Sequence, residues 1–130
     1  MGEHTGDAVL VVDDDDEVRG AVATTLAMDG YHVREARNGA HALRVLREIG
    51  AARPLAILLD LAMPILDGWE FRRTLAALPD CADLPVVVMS ALPEDEARQG
   101  GLDRVEYLRK PVEVDALLAI LSRLHPRRPA

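Results

Sequence analysis

Aliphatic runs of about five residues recur along the chain, each followed by a polar or turn residue and then by helical periodicity. Ala8–Val12, Leu55–Leu59 and Pro85–Met89 are the strongest, with weaker candidates at Tyr31–Ala36 and Val105–Leu108. Continuous apolar runs of this length suit strands covered on both faces, as in a parallel sheet. Between them lie amphipathic stretches. Val18, Val22 and Leu26 keep helical spacing, as do Leu43, Leu46 and Ile49 before Gly50. Trp69, Leu75 and Leu78 mark a third helix entered through Asp67-Gly68. Pro93 with Glu94, Asp95 and Glu96 starts a fourth, since proline fits a first turn and acids favour the positive end of the helix dipole. The last helix runs from about Val112 to Leu124.

Five alternating βα units predict one α/β domain: a doubly wound parallel sheet with helices on both faces and right-handed crossovers. Ligands of such sheets bind beyond the carboxyl ends of the strands. Those positions hold Asp13 and Asp14, Asp60, Ser90, and Lys110. If the ends converge, the site contains three carboxylates, a hydroxyl and an ammonium. Three close carboxylates repel one another and raise a pKa unless a cation intervenes. All-oxygen donors without a histidine or thiolate cluster favour Mg²⁺ over zinc. A carboxylate beside such an ion, a hydroxyl and a lysine has the makings of a nucleophile toward a phosphoryl group.

Composition sharpens this picture. At 130 residues, 49% hydrophobic and 28% charged, the chain fits one globular domain. With only 3% aromatics the core is aliphatic, and a net charge of −7 disfavours direct nucleic-acid binding. Lys110 is the only lysine among 15 basic residues, so a compact point charge stands at one strand end in a chain that otherwise uses arginine. The lone Cys81 excludes an internal disulfide and fits a reducing compartment. No apolar stretch approaches the roughly 18–20 residues of a membrane span, and the first residues lack the parts of a signal peptide. Cytoplasmic localisation without membrane attachment is the expectation.

VVDDDDEVR, LLDLAMPILDGWEF, VVVMSA and YLRKP, in this order and spacing, resemble the receiver domain of two-component response regulators, over roughly residues 7–124. The resemblance implies the CheY-like (flavodoxin-like) fold with strand order 2-1-3-4-5. It leaves residues 1–6 as a flexible start and 125–130 as a tail or the start of a linker. It implies that Asp60 is the phosphoacceptor, that Asp13, Asp14, Asp60 and the backbone carbonyl of Ala62 hold Mg²⁺, and that Ser90 and Lys110 contact the phosphoryl group. Tyr107 falls at the family's aromatic switch position, with core packing as the other reading of this residue. The implied partners are a sensor histidine kinase or histidine phosphotransfer protein and a downstream protein target. The implied role is that of a signalling module, not a turnover enzyme.

Some positions depart from common receiver patterns. Ala62 and Leu92 stand where the family tunes the lifetime of the phosphoryl group, and neither can position an attacking water, so slow self-dephosphorylation is expected. Asp15 flanks the same site, while Asp16 is the expected cap of the first helix. The fourth helix is short, acidic and broken by Gly100-Gly101, with Leu102-Asp103-Arg104 in place of the usual turn. This alters the family's usual dimer face, and a monomer or weak homodimer is expected. Two rival readings are a receiver-shaped interaction module that never uses phosphate, and a haloacid-dehalogenase-type phosphatase. Asp14-x-Asp16-x-Val18 fits the opening motif of the latter, but the acidic pair it needs after the lysine is missing.

Overall fold

The computed structural model of the chain describes residues 8–50, 53–102 and 104–124. The expected flexible start, the tail, and the Asp103 part of the altered turn lie outside them. Five strands alternate with five helices: β1 (Ala8–Val12), α1 (Asp16–Met28), β2 (His32–Ala36), α2 (Gly39–Ile49), β3 (Ala56–Asp60), α3 (Gly68–Ala77), β4 (Val86–Ser90), α4 (Glu94–Gln99), β5 (Glu106–Arg109) and α5 (Val114–Leu124). The strands form one parallel sheet in the order β2-β1-β3-β4-β5.

Alternation along the central strands divides the core into two layers. Leu10, Val12, Ile57, Leu59 and Val88 pack with Ala42, Val45, Phe71, Leu75 and Ala97 from α2, α3 and α4. Val9, Val11, Leu58, Val87 and Met89 pack with Leu26, Leu117 and Leu121 from α1 and α5. Covering both faces explains why β1, β3 and β4 read as unbroken apolar runs. The two edge strands bury less: β2 alternates poorly and β5 is only half-buried.

Two strand ends differ from expectation. Asp60 and Ser90 are the last residues of β3 and β4, because the ladder continues through Asp60 opposite Met89 and Ser90 opposite Arg109. The functional groups therefore stand on paired backbone, which fixes their direction better than a loop would.

The first helix corrects the assignment of its cap. Asp15, in extended conformation, accepts hydrogen bonds from the amides of Glu17 and Val18 at 3.0 and 3.1 Å. Asp16 is already inside the first turn and pairs with Arg19 at 2.6 Å. The chain turns helical one residue earlier than expected, so the capping geometry falls on Asp15. Downstream, Asp67 and Glu70 form a capping box that starts α3.

Gly68 lets α3 approach the end of β3. A Cβ there would lie 2.6 Å from both the Asp60 carbonyl oxygen and the Leu61 Cα, so only glycine allows this close approach.

Trp69, half-buried at the start of α3, donates its indole N–H to the Ala97 carbonyl at 2.8 Å, joining α3 to α4. A Cβ on Gly100 would fall 2.3 Å from the indole nitrogen. Gly100→Ala should therefore displace the ring and break this bond, at a cost of about 1–3 kcal/mol. Urea unfolding followed by the emission of Trp69, the chain's single tryptophan, checks it. An unchanged midpoint and spectrum would show that the two helices do not depend on this contact.

Candidate functional site

The carboxyl ends of β1, β3 and β5 converge as the sequence anticipates. Asp13, Asp14 and Asp60 each place a carboxylate oxygen within 4.8 Å of the others. Asp13 and Asp60 are buried, whereas Asp14 is exposed. Lys110 reaches both buried acids, its Nζ lying 3.1 Å from Asp13 Oδ2 and 3.4 Å from Asp60 Oδ1. Its backbone N–H donates to the Ser90 carbonyl at 2.8 Å, tying the lysine to the end of β4.

The charges do not balance. Burial, followed by repulsion from Asp13, raises the Asp60 carboxyl from 3.8 to about 6, against the pull of Lys110 and of the Ala62 backbone amide. Burial by itself would lower the Lys110 ammonium, but Asp60 and Asp13 overrule it and hold its pKa above the ordinary value. One ammonium thus faces three carboxylates. This residual repulsion, with oxygen donors at ligand spacing, fits a hard divalent cation.

Ser90 is buried at the end of β4, and its Oγ accepts from the Leu92 amide at 3.0 Å, leaving its proton to donate. Ala62 is exposed two residues beyond Asp60. Leu92 packs its side chain against the core layer under α2–α4. Tyr107 packs its ring on that layer, and its hydroxyl donates to the Leu92 carbonyl. Asp15 spends its carboxylate on the α1 amides, while its own N–H donates to Asp13 Oδ1 at 2.9 Å.

Sequence reasoning missed Arg19. Its guanidinium donates to the Asp13 carbonyl at 2.8 Å, to Asp16 at 2.6 Å and to Glu35 at 3.0 Å. It clamps the acidic loop to the end of β2 while its side chain is only 13% exposed. The available signal was its spacing, three residues after Asp16 on a helix that leaves the acidic run. Arg19→Ala should lower divalent-cation affinity about tenfold, because Asp13 loses the group that fixes its backbone. A cation titration followed by thermal unfolding tests this, and wild-type affinity in the variant would rule the clamp out.

A cavity of about 540 Å³ lies between α2 and α3 near the amino ends of β3 and β4, lined by Leu43, Leu46, Leu78 and Leu84 among others. It has no part in the acidic site.

The response regulator receiver domain family matches residues 9–122. The chain belongs to that family. Response regulator MprA of Mycolicibacterium vanbaalenii is 41% identical over 118 residues, covering 89% of this chain and 49% of that protein. The chain thus spans about half the length of the curated relatives it matches. Among solved structures, the Vibrio cholerae chemotaxis protein CheY4 superposes with a TM-score of 0.82 at 30% identity, covering 92% of this chain and 98% of the other. The receiver domain of sensor histidine kinase PA1611 from Pseudomonas aeruginosa gives 0.78 at 29% identity, covering 92% and 97%, and was solved with a magnesium ion in its active-site cleft. Receiver domains are signalling modules, and the CheY-like order 2-1-3-4-5 of this sheet agrees with that membership. Among the described residues, no helix is long and apolar enough to cross a membrane.

Proposed function

We propose that residues 7–124 form a phosphoacceptor switch in which Asp60 takes a phosphoryl group from a histidine kinase or histidine phosphotransfer protein. The observation that carries this reading is the convergence of Asp13, Asp14, Asp60 and Lys110 at three strand ends. Asp13, Asp14, Asp60 and the Ala62 carbonyl hold Mg²⁺, which supplies positive charge against the phosphoryl oxygens when bound. An Asp60 carboxylate oxygen attacks phosphorus, the O–P bond forms, and the bond to the donor's imidazole nitrogen breaks. Lys110 and the Ser90 hydroxyl stabilise the transferred group. Engagement of Ser90 pulls on the β4–α4 loop, where Tyr107 holds the Leu92 carbonyl, and alters a surface read by a downstream protein.

The exposed methyl of Ala62 and the capped carboxylate of Asp15 place no polar side chain ready to orient a water. That supports a long-lived phosphoryl group. The domain acts in the cytoplasm as a monomer or weak homodimer, and contacts with nucleic acid are left to any other part of the protein.

The test is intact mass after incubation with Mg²⁺ and a small-molecule phosphodonor. One acid-stable, base-labile phosphoryl addition that disappears in Asp60→Asn is expected. No addition to the wild type would favour a phosphate-independent interaction module, and steady phosphate release without accumulation would favour a phosphatase.

A further inference from the structure

The face of α2 beside the loop after β3 has features that the acidic site does not use. Residues 34–53 contain five arginines and two glutamates, in a chain whose net charge is −7. Both glutamates of that side are occupied, Glu35 by Arg19 and Glu48 by Arg34. Arg37 and Arg44 are exposed and take part in no ion pair among the described residues. With Asn38, Ala40, His41 and Ile65 they line a depression of about 460 Å³. Burial, and after it Arg44 and Arg37, push the His41 imidazole below its ordinary pKa.

Ile65 is the second feature. It is 80% exposed and has φ of 72°, the left-handed region that a β-branched side chain rarely occupies. Glycine or asparagine would suit that backbone better and would expose no apolar surface. A strained, exposed isoleucine rimmed by guanidiniums has the make-up of an interface anchor: one apolar side chain surrounded by charges that select the partner.

We propose that Ile65 with Arg37, His41 and Arg44 forms a docking surface for an acidic protein segment that carries an apolar side chain between carboxylates. The complementarity is of charge as well as shape. The patch is basic on an acidic protein, so a partner of the same general acidity as this domain would be steered to it and repelled elsewhere. This surface is independent of any chemistry at Asp60, so either can fail while the other stands.

The probe is a synthetic peptide in which leucines are spaced among glutamates, titrated at low salt into the whole chain and followed by backbone amide resonances. Saturable binding is expected, with shifts centred on Arg37, Ala40, His41, Arg44 and Ile65. Arg44→Glu and Ile65→Asn should each weaken it about tenfold or more. Ile65→Asn should at the same time raise the thermal midpoint by roughly 2–8 °C, since it relieves the backbone, so lost binding there cannot be blamed on misfolding. Equal binding by the variants, equal binding of polyglutamate without leucine, or binding of duplex DNA in place of the peptide would each overturn the proposal. So would the absence of saturable binding.

Discussion

Asp60→Asn is expected to abolish phosphoryl addition to the domain and, without a divalent cation, to make the fold more stable at neutral pH. The two effects share one cause. Burial and the neighbouring Asp13 raise the Asp60 carboxyl from 3.8 to about 6, so the folded state holds this proton more tightly than the unfolded chain does. The sign follows by linkage: stability is greatest below about pH 4 and falls as pH rises through about 6. Above that the loss is constant, about 1–3 kcal/mol once solvent relaxation is allowed for.

Asparagine carries no charge at any pH and removes this slope. Thermal unfolding in a chelator should therefore show the wild type losing stability between pH 4 and 7 relative to Asp60→Asn. The variant's midpoint near pH 7 should be higher by roughly 3–10 °C. Mg²⁺ should recover most of the difference in the wild type, because a cation favours the ionised form, and should do much less for the variant. Parallel pH profiles for the two proteins in chelator would show that Asp60 is not under electrostatic stress.

Much of this fold is legible because its central strands are buried on both faces. β1, β3 and β4 are unbroken aliphatic runs for that reason, and their ends point directly at Asp13, Asp60 and Ser90. The edge strands are harder to read. β2 has three exposed residues in five, so its pattern carries little signal. The cap of α1 could not be read from four identical aspartates, because the choice between Asp15 and Asp16 depends on which residue keeps extended backbone. Arg19 reads as a solvated helix residue until β2 is placed beside it and Glu35 supplies its third partner. Nothing in the sequence marks Ile65, since isoleucine is the residue type least expected at a positive φ. The missed features depend on local backbone geometry at Asp15 and Ile65 and on tertiary placement at Arg19.

Lys110→Ala is expected to have the second largest effect, and it separates electrostatics from nucleophilic chemistry. Lys110 is the lysine that meets both buried carboxylates, at 3.1 Å from Asp13 and 3.4 Å from Asp60. Taking it away leaves two neighbouring buried acids with no ammonium between them. The Asp60 carboxyl should rise further, because Lys110 is the main influence now pulling it down. Stability without a cation should fall by about 2–4 kcal/mol near pH 7 and by less near pH 4, where protonation of Asp60 relieves the repulsion. Mg²⁺ should then stabilise the variant more than it does the wild type. Phosphoryl addition should slow by about 10²-fold even with saturating Mg²⁺, since the acceptor remains but a donor to the phosphoryl oxygens is gone. Lys110→Arg keeps the charge on a larger planar group, so it should restore much of the stability and little of the rate. If Lys110→Ala takes up the phosphoryl group at the wild-type rate, the ammonium serves only to hold the strand ends together.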